Sequence, residues 1–221
     1  MDLQQRLQSI QAQLQEHSPA RLLAVSKHVS ADRIRAAHVL DLRHFGENYV
    51  QEALGKMVEL ADLEDICWHF IGRIQRNKTR EIARHFDWVE SVDREILVQR
   101  LDRERTGLPP LQVLIEVAAS GEESKGGCAP SDVPMLAEAI VASTNLRLRG
   151  LMALVHPNPE QAPKNFAQLA ELYKQLQKQF TNQRVDTLSM GTSGDYPEAL
   201  AHGATEIRLG TVLFGTRPKE H

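Results

Sequence analysis

Apolar positions along this chain follow two alternating rhythms. In the first segment Leu3, Leu7, Ile10 and Leu14 recur at spacings of four, three and four, which places them on one face of a helix. Gln and Arg cover its other faces, so residues 1–17 read as a peripheral helix that needs something to pack on. Short apolar runs then alternate with helical patterns. The runs are 22–26, 44–46, 68–72, 88–92, 111–117, 148–154, 187–190 and 207–214, which makes eight predicted strands. The fifth and sixth are apolar almost throughout, as strands buried on both faces of a parallel sheet are. Between the runs, Asp93 is placed to cap a helix carrying Ile96, Leu97 and Leu101, with Gly107 to end it. Ser131 is placed to cap one carrying Leu136, Ala137, Ile140 and Val141. The longest helix is predicted over 160–180, with Phe166, Leu169, Tyr173, Leu176 and Phe180 on one face.

Strand alternating with helix specifies βα units and a parallel sheet. Eight units without a Pro/Gly-rich linker, a repeat or a low-complexity tract predict one α/β domain over 1–221, a (β/α)8 TIM-type barrel with an extra N-terminal helix. The alternative is an open doubly wound sheet, unusually wide at eight strands.

Composition narrows the function classes. A net charge of −3 gives no global pull towards nucleic acid or anionic membrane. Cys67 and Cys128 form no CxxC pair and read as free, reduced thiols. The first residues have no apolar core, and no apolar run approaches the length of a membrane span, so a cytoplasmic protein is expected. The nine histidines are scattered, with no HxH at a strand end, and Cys67-Trp68-His69 is not a familiar ligand spacing, so no metal site is expected. The basic stretch from Arg73 to His85 lacks interleaved aromatics for stacking on RNA and reads as a solvated helix face.

Barrel chemistry sits at the C-terminal ends of the strands. Gly191, Thr192, Ser193 and Gly194 follow the seventh run and precede a helix predicted over 196–202, while Gly210 and Thr211 lie in the eighth. Small residues there let backbone N–H groups approach an anion, although tight capped turns look the same in sequence. Lys27 directly follows the first run, next to the eighth in a closed barrel. Partial desolvation favours the neutral amine, the form that condenses with aldehydes, whereas the bland alternative is a snorkelling surface lysine. A ligand with phosphate at one end and aldehyde at the other would join the two sites, and pyridoxal phosphate has that form.

The segments Leu22–Lys27, Phe45-Gly46-Glu47-Asn48-Tyr49-Val50-Gln51-Glu52, Trp68-His69-Phe70-Ile71-Gly72, Gln75-x-Asn77-Lys78, Ser124-Lys125-x-Gly127, Arg149-Gly150-Leu151-Met152-Ala153, Leu188-Ser189-Met190-Gly191 and Arg208-Leu209-Gly210-Thr211-x-x-Phe214-Gly215 occur in that order. Together they resemble the pyridoxal phosphate homeostasis protein family, and more distantly the barrel domain of alanine racemases. The resemblance implies that pyridoxal 5′-phosphate is the cofactor, carried as an imine on Lys27. It implies that Ser193, Gly210 and Thr211 contact the phosphate, that Arg208 faces the pyridine nitrogen and that Asn48 lies beside the ring. Thr192 stands where the family's phosphate loop usually has methionine. Lys78 and Lys125 offer a second amine near the mouth, or steering charge. Apo-enzymes that use the cofactor are the expected partners.

A guanidinium has only donors, so a pyridine nitrogen facing Arg208 must be unprotonated and a poor electron sink. The chain also ends six residues after Gly215, so the C-terminal domain from which related racemases take a second acid/base is expected to be missing. Both points favour a protein that maintains vitamin B6 and amino-acid homeostasis over the alternative, a low-activity amino-acid racemase. A barrel that only binds RNA or protein would leave Lys27 unmodified.

Overall fold

The structure, a computed structural model, describes residues 1–17, 20–119, 126–155 and 161–215. Its strands are β1 (Arg21–Val25), β2 (His44–Glu47), β3 (Cys67–Phe70), β4 (Trp88–Val92), β5 (Leu111–Glu116), β6 (Leu146–Met152), β7 (Thr187–Ser189) and β8 (Glu206–Leu209). Each is parallel to the next and β8 pairs back to β1, so the sheet closes in chain order and the open doubly wound sheet is excluded. The helices are α1 (Leu3–His17), α2 (Ala31–Val39), α3 (Val50–Glu59), α4 (Thr79–His85), α5 (Glu95–Glu104), α6 (Val133–Ala142), α7 (Ala162–Gln179), α8 (Tyr196–Ala201) and α9 (Thr211–Phe214). No helix among the described residues is long and apolar enough to cross a membrane.

Successive strand residues face opposite sides, and here the two sides differ in chemistry. Outward residues such as Phe45, Phe70, Val113 and Leu151 join Ile34, Ile82, Leu101, Ile140 and Phe166 of the helices in the main apolar core. Inside the barrel a small apolar group, Trp88, Leu114 and Met152, packs with Cys67. Much of the remaining interior is polar: His69, Glu90, Ser189, Glu206 and Arg208 are all buried there, beside Leu23 of β1.

One irregularity in β6 sets which residues reach the interior. The β5–β6 register shifts between Val113 and Leu114, so Arg149 is an extra residue. Leu148 and Leu151, three apart, therefore both join the outer core, while Met152 turns inward. Gly150 makes the bulge possible: its φ is +144°, and a Cβ there would lie 1.8 Å from the Thr187 carbonyl oxygen. The displaced Arg149 pairs with Asp186 at 2.6 Å and places its guanidinium 4.5 Å from the centre of the Trp88 ring.

Several predicted boundaries change. The eighth run does not continue as strand to 214: β8 ends at Leu209, and the chain turns at Gly210, whose carbonyl accepts the Leu213 and Phe214 N–H groups and starts α9. The sixth run begins and ends two residues earlier than predicted. Asp93 does not cap α5; it pairs with Arg94, which holds the cap position. Helix α5 ends at Glu104, before Gly107. Ser131 lies in a 3-10 turn, Pro130–Asp132, that leads into α6. Helix α7 starts at Ala162; residue 160 lies outside the described residues. Helix α1 packs on α8 and α9 through buried Leu7, Ile10 and Leu14, so it supports the barrel edge behind both small-residue loops.

Candidate functional site

All seven residues selected from the sequence, Lys27, Asn48, Thr192, Ser193, Arg208, Gly210 and Thr211, line one cavity of about 310 Å³ at the C-terminal mouth of the barrel. Val25, Ile71, Met152 and Leu154 supply its apolar walls.

Lys27 follows β1, and its backbone is clamped on both sides. Nζ of Lys56, reaching from α3, donates to the Ser26 carbonyl at 2.7 Å, to Glu47 Oε1 at 2.8 Å and to Glu52 Oε1 at 2.6 Å. The Ser26 hydroxyl also donates to Glu47 Oε1, at 2.6 Å. Glu52 in turn accepts the His28 N–H. Burial pushes the Glu47 carboxyl up, and the bonds from Lys56 and Ser26 oppose that shift. His28 sits at φ +60°, so the turn carrying Lys27 is sharp as well as pinned.

The anion-type end combines two loops. Gly191, at φ +93°, lets the β7–α8 loop lie against α8; a Cβ there would be 2.6 Å from that of Ala199. Asp195 Oδ1 accepts both the N–H (2.6 Å) and the hydroxyl (2.8 Å) of Thr192. Thr192 therefore shapes the loop, while the Ser193 and Thr211 hydroxyls have no partner among the described residues. Nor does any acceptor among those residues reach the N–H groups of Ser193, Gly194 or Thr211. Arg33 of α2 also lines this end, bonding the Phe214 carbonyl and stacking 5.7 Å from the Phe214 ring. Sequence reading missed it, because Arg33 looks like any solvent-facing helix position.

Arg208 lies at the cavity floor, only 4 % exposed. Its guanidinium donates to Ser189 Oγ and to the Ala153 carbonyl, both at 2.7 Å. Ser189 Oγ donates to Glu90 Oε2 at 2.8 Å, and Glu90 Oε1 accepts from His69 Nδ1 at 2.7 Å. A buried polar column thus runs from the cavity down the barrel axis. Burial pushes the Glu90 carboxyl up and the His69 imidazole down to about 3.

Lys78 lines a neighbouring groove that shares only Asn48 with this cavity. Ser124 and Lys125 lie outside the described residues. Glu116, within electrostatic reach of Arg208, is pushed up to about 7 by burial and then by Asp93. A carboxyl raised in the folded state costs stability wherever the unfolded chain has already ionised. Stability is therefore expected to fall as pH rises from about 4.5 through 7. Glu116→Gln should add up to about 3 kcal/mol above that window and almost nothing at pH near 4. Urea midpoints at the two pH values check this.

Fold and cavity together define a parallel barrel whose C-terminal mouth sets Lys27 in one cavity with two loops of small residues. The family described as alanine racemase, N-terminal domain, matches residues 2–218. The pyridoxal phosphate homeostasis protein of Pseudomonas aeruginosa is 54 % identical over 213 residues, covering 95 % of this chain and 90 % of that one. The chain belongs to this family, as a member of its pyridoxal phosphate homeostasis branch. The solved structure of PipY from Synechococcus elongatus with pyridoxal phosphate bound is 38 % identical, with a TM-score of 0.86, and covers 97 % of this chain and all (100 %) of that one. Alanine racemase from Corynebacterium glutamicum, at 14 % identity and a TM-score of 0.70 over 98 % of this chain and 62 % of that one, shares the fold alone.

Proposed function

We propose that this chain binds pyridoxal 5′-phosphate in the cavity at the C-terminal mouth and thereby maintains vitamin B6 and amino-acid homeostasis. The observation that carries the reading is the convergence of Lys27, Arg208, Ser193 and Thr211 on that one cavity. The PipY structure, solved with this cofactor bound, supports it.

The residues fit the group. Ser193 and Thr211 offer donors to a phosphate, and Arg33 adds positive charge beside them. Lys27 is the amine for covalent attachment. Asn48 Oδ1 is buried and has no hydrogen-bond partner among the described residues, as expected of a group that meets a ligand. When bound, the cofactor supplies an aldehyde that condenses reversibly with amines. Arg208, held by Ser189 and Ala153, presents only donors to the floor of the cavity. A positively charged donor there disfavours protonation of a ring nitrogen, so the site suits holding the cofactor more than driving carbanion chemistry. Apo-enzymes that use pyridoxal phosphate are the partners this reading implies.

Comparing ligands with and without the phosphate tests the reading. Pyridoxal phosphate is expected to bind at least tenfold more tightly than pyridoxal, since one charge-assisted hydrogen bond is worth about 1.5–3 kcal/mol. Thr211→Val should weaken the phosphorylated ligand about tenfold and leave pyridoxal unchanged. Equal binding of the two ligands would reject the phosphate site.

A further inference from the structure

We propose that His44, Cys67 and His69 form a transition-metal site of zinc type at the N-terminal mouth of the barrel, opposite the cofactor cavity. The register of two neighbouring strands builds it. His44 opens β2 and Cys67 opens β3, and the two are paired; His69 lies two residues further along β3, on the same face. His44 Nδ1 is 2.9 Å from His69 Nε2, and Cys67 Sγ is 3.6 Å from the same nitrogen. All three ligand atoms lie within 4.8 Å of one another. Two nitrogens at about 2.0–2.1 Å from zinc and a sulfur at about 2.3 Å are separated by roughly 3.3–3.6 Å when tetrahedral. The distance between Cys67 Sγ and His69 Nε2 already matches. The N···N distance needs the half-buried His44 ring to back away by a few tenths of an ångström.

His69 is oriented as a metal ligand is. Its ring stacks on Trp88 with centroids 5.1 Å apart and 9° between planes. Its Nδ1–H donates to Glu90 Oε1 at 2.7 Å, which turns the bare Nε2 lone pair towards His44 and Cys67. A carboxylate behind a ligating histidine fixes the tautomer and strengthens the ligand. Without a metal, the His44 N–H and the Cys67 S–H both face that single lone pair. Binding forms bonds to Nδ1, Nε2 and Sγ, releases the thiol proton to solvent and moves the His44 proton to its Nε2. Arg21 also faces the cluster, and its charge is answered by Glu206 at 2.6 Å. Glu206 Oε1 is buried with no hydrogen-bond partner among the described residues, and a Glu206 oxygen lies within 4.8 Å of ligand atoms of His69 and Glu90. His44 and Cys67 are both partly exposed, so the fourth position opens to water.

Zinc content per chain tests the proposal, measured by elemental analysis after equilibration with zinc sulfate and passage over a chelating resin. About one zinc per chain is expected in the cofactor-loaded protein. His44→Gln and Cys67→Ser should each lose it, and Glu90→Gln should bind about 10–100-fold more weakly. His85→Gln, an exposed histidine elsewhere, should change nothing. Cobalt added to the unaltered protein should give a thiolate-to-metal charge-transfer band in the difference spectrum, a readout that needs no variant to fold. No retained zinc and no such band would overturn the site. So would zinc retention in Cys67→Ser equal to that of the parent.

Discussion

Lys56→Met is expected to destabilise the protein by about 3–5 kcal/mol and to strip it of cofactor. Lys56 is the cation for Glu47, whose side chain is 0 % exposed, and it also holds the Ser26 carbonyl and Glu52. Removing the ammonium leaves a buried carboxylate without its partner, which costs more than the ion pair itself contributes. Glu47 must then take up a proton, the Ser26 carbonyl before Lys27 loses its bond, and Glu52, which accepts the His28 N–H after Lys27, loses the cation that holds it. Adding Glu47→Gln to Lys56→Met should recover a large part of the stability, because no buried charge remains. It should not restore cofactor retention, because Ser26 and Glu52 are still unheld. Denaturant midpoints and visible absorbance after gel filtration measure the two effects separately. Equal recovery of both would mean that the cluster acts only through stability.

Gly150→Ala is expected to prevent stable folding or to cost well over about 3 kcal/mol. The new Cβ would stand 1.8 Å from the Thr187 carbonyl oxygen, at a φ of +144° that L side chains rarely adopt. Relief requires undoing the bulge, which would rotate Leu151 and Met152 to the wrong faces and withdraw Arg149 from Trp88 and Asp186. The same substitution at Gly55, where a Cβ meets nothing within 4 Å, should be harmless or slightly stabilising. Thermal midpoints of the two variants give the comparison. A Gly150→Ala protein as stable as the parent would remove the bulge from the account of the fold.

Much of this architecture was legible in the sequence because barrel strands are buried on both faces, so their apolar runs stand out from amphipathic helices. Lys27, Thr192 and Ser193 were legible because they follow the ends of the first and seventh runs, and in a closed barrel those ends meet at one mouth; Gly210 and Thr211 stood out as small residues within the eighth run, and Asn48 and Arg208 came only from the family resemblance. The eighth run misled because Val212, Leu213 and Phe214 are as apolar as a strand; only the turn at Gly210 makes them α9, whose Leu213 and Phe214 are buried as a helix. Arg33 was hidden because it arrives from a helix outside the sheet. The cluster of His44, Cys67 and His69 was hidden because strand register, not chain spacing, brings it together. Asp93 and Ser131 show that a capping residue type in the right place does not cap when Arg94 or a 3-10 turn takes over the helix start.

Covalent attachment at Lys27 is the central claim, and borohydride reduction followed by peptide mapping tests it most directly. The purified protein should be yellow, and reduction should leave the mass of the pyridoxyl phosphate group on the peptide that contains Lys27. Lys27→Ala should be colourless and unlabelled after the same treatment. A label on another lysine with the Lys27 peptide unmodified, or an undiminished visible band in Lys27→Ala, would contradict the account.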